Sequence, residues 1–210
     1  MPRTRVKYCG ITRPEDGLTA ARLGVDAIGL NFYPQSPRVV DLTTARAIAR
    51  ALPPFVTVVG LFVEPEPLEI ERVLDTLSLD LLQFHGDEEP EECERYGHPY
   101  IKALAMRDGI DLHAQTQRYA SARGLLVDTH DADLYGGTGV AFDWGRVPAS
   151  GIDMPLILAG GLTPDNVAEA ITRVRPFGVD VSGGIEAAKG IKDTDKMAAF
   201  MEGVKSVDNS

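Results

Sequence analysis

The pattern that most constrains this chain is an alternation: short apolar runs rich in β-branched residues, each followed by a longer stretch with apolar residues at helical spacing. The short runs fall at 5–8, 26–31, 55–62, 80–84, 100–104, 124–128, 155–158 and 177–181. Such runs read as buried strands, and the 3.6-residue spacing between them reads as helices with one packed face. Helical stretches are predicted at 14–23, 43–51, 67–77, 88–96, 112–120, 165–174 and 193–204, with the weakest helical pattern between the sixth and seventh strands. Thr163 is expected to cap the helix at 165–174, with Pro164 in its first turn. Repeated βα units predict an α/β fold, a single-domain (βα)8 TIM barrel in which a closed parallel eight-stranded sheet is ringed by outer helices. The rival is an open doubly wound sheet, but no G-x-G-x-x-G follows the first strand. No Ser/Gly-rich linker divides the chain, so 1–205 is assigned to the barrel and 206–210 to a short polar tail.

The formal net charge of −10 opposes partnership with nucleic acid or an anionic membrane, because both need a basic face. An anionic small molecule would then have to be held by local donors, backbone N–H groups or chosen Lys and Arg side chains. The most apolar window, 55–63, is about half the ~20 residues a spanning helix needs. Two cysteines, Cys9 and Cys93, are too few for a disulfide framework, and the first residues lack an apolar leader, so a cytoplasmic location is expected.

Polar residues gather where strands end. Lys7 and Cys9 share a face of the first strand, Asn31 ends the second, and Gln83 and His85 close the fourth. Lys102 sits in the fifth, Asp128 closes the sixth, and Asp180 and Ser182 close the eighth. Buried ion pairs would account for any one of them, but active sites of this fold are assembled from several strand ends at the C-terminal face. Strand seven runs into Gly160-Gly161, and strand eight runs through Asp180 and Ser182 into Gly183-Gly184. Glycines let amides approach an anion closely, and the loops after strands seven and eight are the frequent phosphate site of barrel enzymes, so a small phosphorylated substrate is expected there.

Cys9 near Lys7 would have its pKa lowered below about 8.5 and could serve as a base. Asp128, ending the apolar run Leu125-Leu126-Val127, would be desolvated and kept partly protonated as an acid. A base and an acid at one barrel mouth suit an isomerisation, which adds a proton at one atom and removes one at another. His98, His113 and His130 lie away from strand ends, so His85 has no second histidine beside it and no metal site is expected. His130, Asp131 and Asp133 read as solvated turn residues, and Cys93 as structural.

The stretches Val6-Lys7-Tyr8-Cys9-Gly10-Ile11-Thr12, Phe32-Tyr33-Pro34-Gln35-Ser36-Pro37-Arg38, Gln83-Phe84-His85-Gly86, Asp128-Thr129 and Tyr135-Gly136-Gly137-Thr138-Gly139 resemble the phosphoribosylanthranilate isomerase family, in matching order. Phe142-Asp143-Trp144, Gly160-Gly161 and Val179-Asp180-Val181-Ser182 extend the resemblance over essentially the whole chain. It implies a cofactor-free barrel of tryptophan biosynthesis that converts N-(5-phosphoribosyl)anthranilate to the carboxyphenylamino-deoxyribulose phosphate by an Amadori rearrangement. It implies that Asp128 protonates the furanose oxygen and that Cys9 removes the C2 proton. It also implies that Arg38, which alone would read as a solvated surface arginine, holds the anthranilate carboxylate. The phosphate would rest on the amides of Gly161, Ser182 and Gly183, with Gly160, Asp180 and His85 completing the substrate site.

Two positions depart from the family pattern: Phe84 where leucine is usual, and Gly183 where a second serine is common. Phe84 should affect packing only, whereas Gly183 lacks a hydroxyl for the phosphate. Other phosphosugar barrels fit less well. A pentulose-phosphate epimerase needs strand-end histidines for metal, and the histidine-pathway aminoaldose isomerase has aspartate where this chain has Cys9. A phosphate-binding protein without catalysis would leave the Cys9 and Asp128 pairing incidental. A monomer is expected, with a dimer as the alternative.

Overall fold

The computed structural model of the protein describes residues 3–129, 143–148 and 152–208. Eight strands form a closed barrel: β1 (Arg5–Cys9), β2 (Ala27–Asn31), β3 (Thr57–Phe62), β4 (Leu81–Phe84), β5 (Tyr100–Ala105), β6 (Leu125–Asp128), β7 (Leu156–Leu158) and β8 (Gly178–Val181), paired in chain order with β8 returning to β1. Around them lie α1 (Pro14–Leu23), α2 (Leu42–Ala51), α3 (Pro67–Thr76), α4 (Pro90–Glu94), α5 (Leu112–Arg118), α6 (Val167–Val174) and α7 (Thr194–Asp208). Between β6 and β7 the described residues hold only a 3₁₀ turn, Trp144–Arg146. Among the described residues no helix is long and apolar enough to cross a membrane.

Every strand is buried on both faces, which is why the sequence shows continuous apolar runs rather than alternation. The outward residues pack under the helices: Tyr8 meets Phe200 edge-on and donates its hydroxyl to the Met197 carbonyl (2.6 Å). Phe84, expected to matter for packing only, stacks on Tyr96 and meets Tyr100 edge-on. Inside the barrel, Ile101, Ala103, Leu126 and Ala159 form one apolar cluster, and Cys9, Leu61 and Val63 another.

Several sequence expectations shift at element ends. β3 begins at Thr57 rather than at 55, because Phe55 takes φ +72° and is fully exposed. α4 is confined to Pro90–Glu94 rather than 88–96, since Glu89 closes a capping box with Glu92 and Gly97 takes φ +56°. Thr163 is not the cap of α6; Asn166 takes the N-cap position, accepting the Thr163 N–H (2.8 Å) and donating to the Gly161 carbonyl (2.9 Å). α7 runs on to Asp208, whose carboxylate accepts the Thr4 N–H (3.0 Å) and hydroxyl (2.9 Å), so 206–208 continue the last helix.

Lys102 does not face the barrel mouth. Its register partner is Phe84, on the outward face, and its ammonium is buried against Glu88 (3.0 Å) and the Gly86 carbonyl (2.5 Å). Glu88 also accepts the N–H groups of Glu64 (2.8 Å) and Gly86 (3.0 Å), stapling the ends of β3, β4 and β5 together. Glu88→Ala would strand a buried ammonium and two backbone N–H donors. We expect it to cost about 3 kcal/mol or more in urea unfolding, the scale for breaking a buried pair.

The short hairpin β9 (Glu186–Ala188) and β10 (Ile191–Lys192) was not legible as strand pattern. It lies over the start of the chain: the Thr12 hydroxyl donates to the Gly190 carbonyl, and the Lys192 N–H to Asp16 (3.2 Å).

Candidate active site

Lys7 and Cys9 point into the barrel from β1, and the register neighbour of Cys9 on β2 is Gly29. A Cβ at Gly29 would come within 2.8 Å of the Cys9 sulfur and 3.1 Å of the Lys7 nitrogen, so the missing side chain makes room for the pair. A glycine inside a strand signals such a close approach. Lys7 donates to Asp180 on β8 at 2.9 Å, with both side chains under a tenth exposed. Burial alone would lower the Lys7 pKa, but Asp180 and Cys9 together push it up, so the ammonium is retained. Asp180 therefore holds Lys7, and it also lines the cleft at the ends of β7 and β8.

The expected depression of the Cys9 pKa is overturned. Burial raises it above its ordinary value, and Lys7 offsets that only in part because Asp180 shares the ammonium and adds its own negative charge. Cys9 is a resting thiol beside a cation that would stabilise its thiolate.

Asp128, at the end of β6, is buried but not in the purely apolar setting the sequence suggests. The Thr129 N–H donates to Oδ1 (2.7 Å), and His85 Nε2 lies 3.3 Å from Oδ2. His85 Nδ1 in turn receives the Gln83 amide N–H (2.8 Å). An amide nitrogen can only donate, so Nδ1 accepts and Nε2 carries a proton aimed at Asp128. His85 thus reaches the site through Asp128. Gly160, with φ +79°, lies against this group, where a Cβ would sit 2.8 Å from Asp128 Oδ1.

The glycine-rich ends of β7 and β8 do meet. Asp128, Gly160, Gly161, Asp180, Ser182, Gly183 and Gly184 line one cleft of about 50 Å³. Gly161 takes φ +64° and its carbonyl is held by Asn166. Gly183 opens a 3₁₀ turn, Gly183–Ile185, whose first amides have no partner within it. Gly184 packs directly on the Leu162 carbonyl, leaving no room for a side chain.

Arg38 is brought to the same rim, crossing Gly10, where a Cβ would come within 2.5 Å of its Cδ and 3.1 Å of the Ser182 hydroxyl. It is held rather than solvated. Its Nε and Nη2 donate to the two oxygens of Glu186 at 2.7 and 2.9 Å, and the Lys192 ammonium donates to Glu186 at 3.0 Å and to the Ser182 carbonyl at 3.1 Å. Glu186 and Lys192 were missed by the sequence reading. The one available signal was a lone acid after the apolar Ile185, just past the glycines of strand eight.

Gly136 to Gly139, His130, Asp131, Asp133, Tyr135 and Phe142 lie outside the described residues. The chain as a whole matches known proteins in both sequence and shape. The family described as N-(5'phosphoribosyl)anthranilate (PRA) isomerase matches residues 6–203. N-(5'-phosphoribosyl)anthranilate isomerases of Nitrosococcus oceani and Pseudomonas putida are 58% and 59% identical over 205 residues, covering 98% of this chain and 99% of each relative. The crystal structure of phosphoribosyl anthranilate isomerase from Thermotoga maritima aligns with TM-score 0.88 at 40% identity, over 97% of this chain and 99% of that one. A crystal structure of such an isomerase in complex with reduced 1-(o-carboxyphenylamino)-1-deoxyribulose 5-phosphate aligns with TM-score 0.81 at 38% identity, over 97% and 99%.

Proposed function

The chain belongs to the N-(5'-phosphoribosyl)anthranilate isomerase family, and from that premise we propose that Cys9 is its general base and Asp128 its general acid. The protein is an aldose–ketose isomerase that rearranges N-(5-phosphoribosyl)anthranilate to 1-(2-carboxyphenylamino)-1-deoxyribulose 5-phosphate in tryptophan biosynthesis. The observation that carries the assignment of roles is the order of groups around the rim. Asp128 on β6 and Cys9 on β1 flank the cleft built by β7 and β8. A phosphate seated in that cleft puts the ribose between the acid and the base.

Asp128 protonates the furanose oxygen as the C1–O bond breaks, giving the Schiff base. Cys9, as thiolate beside the Lys7 ammonium, then takes the C2 proton to form the enolamine. Protonation at C1 and loss of the C2 hydroxyl proton give the ketone. His85 acts through Asp128, to which it presents its Nε2 proton, and no metal or cofactor enters any step. The phosphate rests on the amides of Gly161, Ser182 and Gly183, and the Arg38 guanidinium takes the anthranilate carboxylate. The direct test forms the substrate in situ and follows the loss of its fluorescence on adding purified protein. Acceleration is expected; an unchanged rate would sink the activity.

A base that works as a thiolate needs a reducing compartment, and Cys9 and Cys93 are both buried free thiols, which supports a cytoplasmic enzyme. The chain is proposed to act as a monomer, with a dimer as the alternative. Phe55, fully exposed at the end of the barrel away from the site, is the most exposed of the large apolar side chains, ahead of Leu68 and Phe177, and so the first position at which to test for a dimer. Sedimentation velocity should show one chain per particle, unchanged by Phe55→Ser; a species of twice the mass that Phe55→Ser dissolves would reverse this.

A further inference from the structure

The contact between Arg38 and Glu186 presents a puzzle. A buried carboxylate beside the side chain that is to bind a substrate carboxylate should repel the ligand, unless it does something that outweighs the repulsion. Its geometry shows what that is. The fork from Nε and Nη2 to both Glu186 oxygens fixes the guanidinium plane, and among the described residues Nη1 is left with no acceptor. The backbone of the same residue is also held. The Arg38 N–H donates to the Ser36 hydroxyl (3.2 Å), which itself receives the Asn31 side-chain amide (3.0 Å).

The charges of the cluster do not cancel. Arg38 and Lys192 bring two positive charges to the one negative charge of Glu186, so a substrate carboxylate completes the balance instead of overfilling it. Lys192 is fully buried at its side chain and also holds the Ser182 carbonyl, so the group orienting Arg38 is tied to the loop that lines the phosphate cleft. The hairpin 186–192 thereby connects the two ends of the substrate site.

We propose that Glu186 is a positioning residue that sets specificity for the ortho-carboxylate of the aromatic ring, by holding Arg38 with one edge presented to the substrate. The proposal rests on Arg38 as the partner of that carboxylate. It accounts for a feature that carboxylate binding alone does not require, namely a rigid, doubly bonded arginine in place of a mobile one.

The test compares two substrates prepared alike, N-(5-phosphoribosyl)anthranilate and the aniline analogue that lacks the carboxylate, in wild type, Glu186→Gln, Arg38→Met and the double variant. Glutamine keeps the shape but turns an amide N–H toward Arg38 or Lys192, so the fork is lost. Glu186→Gln should lose at least about 10-fold in kcat/KM on the carboxylate substrate, mainly through KM, the scale of one charge-assisted hydrogen bond. The aniline analogue should change by less than about 2-fold, and in the Arg38→Met background Glu186→Gln should add nothing.

Equal losses on both substrates would show a merely structural role and overturn the proposal. Arg38→Met losing discrimination while Glu186→Gln keeps it would overturn the proposal alone, whereas Arg38→Met that still discriminates would refute the role of Arg38 beneath it. Should Glu186→Gln fail to fold, Glu186→Gln with Lys192→Met removes the stranded ammonium. The same substrate ratio then reads the effect, because any disturbance at Ser182 falls on both substrates.

Discussion

Asp128→Asn is expected to lower kcat by at least ~100-fold while leaving KM within a few-fold, the usual scale and signature for losing a general acid. Asparagine keeps the carbonyl oxygen that the Thr129 N–H needs, so the strand end should hold its shape. Two things change. The side chain no longer has a proton to deliver to the furanose oxygen, and its amide N–H groups now face the His85 Nε2 proton, donor against donor. Both changes fall at the Asp128 edge of the cleft and leave its glycine amides and the Arg38 cluster in place, which is why binding should survive where turnover does not. Steady-state fluorescence kinetics, with circular dichroism as the control for folding, decide it. Near-normal turnover would move the acid role elsewhere on the rim.

The barrel was legible because its strands are buried on both faces, so that each appears as a compact apolar run with helical spacing between. Local chemistry moved the boundaries. Phe55 belongs to an apolar run by composition, yet its positive φ turns it out of the strand, and no hydropathy pattern reports a dihedral angle. Glu88 looks like the first turn of an exposed acidic helix, but its carboxylate turns inward to Lys102 and leaves the helix to start at Pro90. Lys102 itself shows the limit of counting polar residues near strand ends. Without register, one residue of parity separates the site from the back of the barrel.

The site was legible where identity and place coincide. Cys9, Asp128, His85, Ser182 and the paired glycines all lie at strand ends, and the fold brings strand ends together. What stayed hidden are roles defined by partners, even for a residue such as Gln83 that the strand-end pattern singles out. Gly29 matters for what it lacks, Gln83 for the ring nitrogen it occupies, and Glu186 for a guanidinium 148 positions away in the chain. The direction of the Cys9 shift was hidden for the same reason: a lysine two residues away suggests stabilisation of a thiolate, but the sequence does not show that Asp180 already holds that lysine.

That shared ammonium shapes the other large effect expected here. Cys9→Ser should cost at least ~100-fold in kcat, because a hydroxyl in the same place is a far weaker acid and gives almost no anion to accept the C2 proton. The pH dependence separates this from a packing defect. Burial, only partly offset by Lys7, raises the Cys9 pKa above its ordinary 9.0, so the free enzyme carries the thiol at neutral pH. Only the thiolate can act as base and only the protonated carboxyl as acid, so in the wild type the two titrations oppose each other and kcat/KM should be level between them. Asp128→Asn removes the acid's titration, so its residual kcat/KM should climb with pH through the neutral range as the thiolate fraction grows. Adding Cys9→Ser to Asp128→Asn should abolish that climb. A residual rate in Asp128→Asn that is flat there, or that falls as pH rises, would mean that the proton is taken by a group already ionised at neutral pH, and Cys9 would then be a packing residue at the mouth of β1.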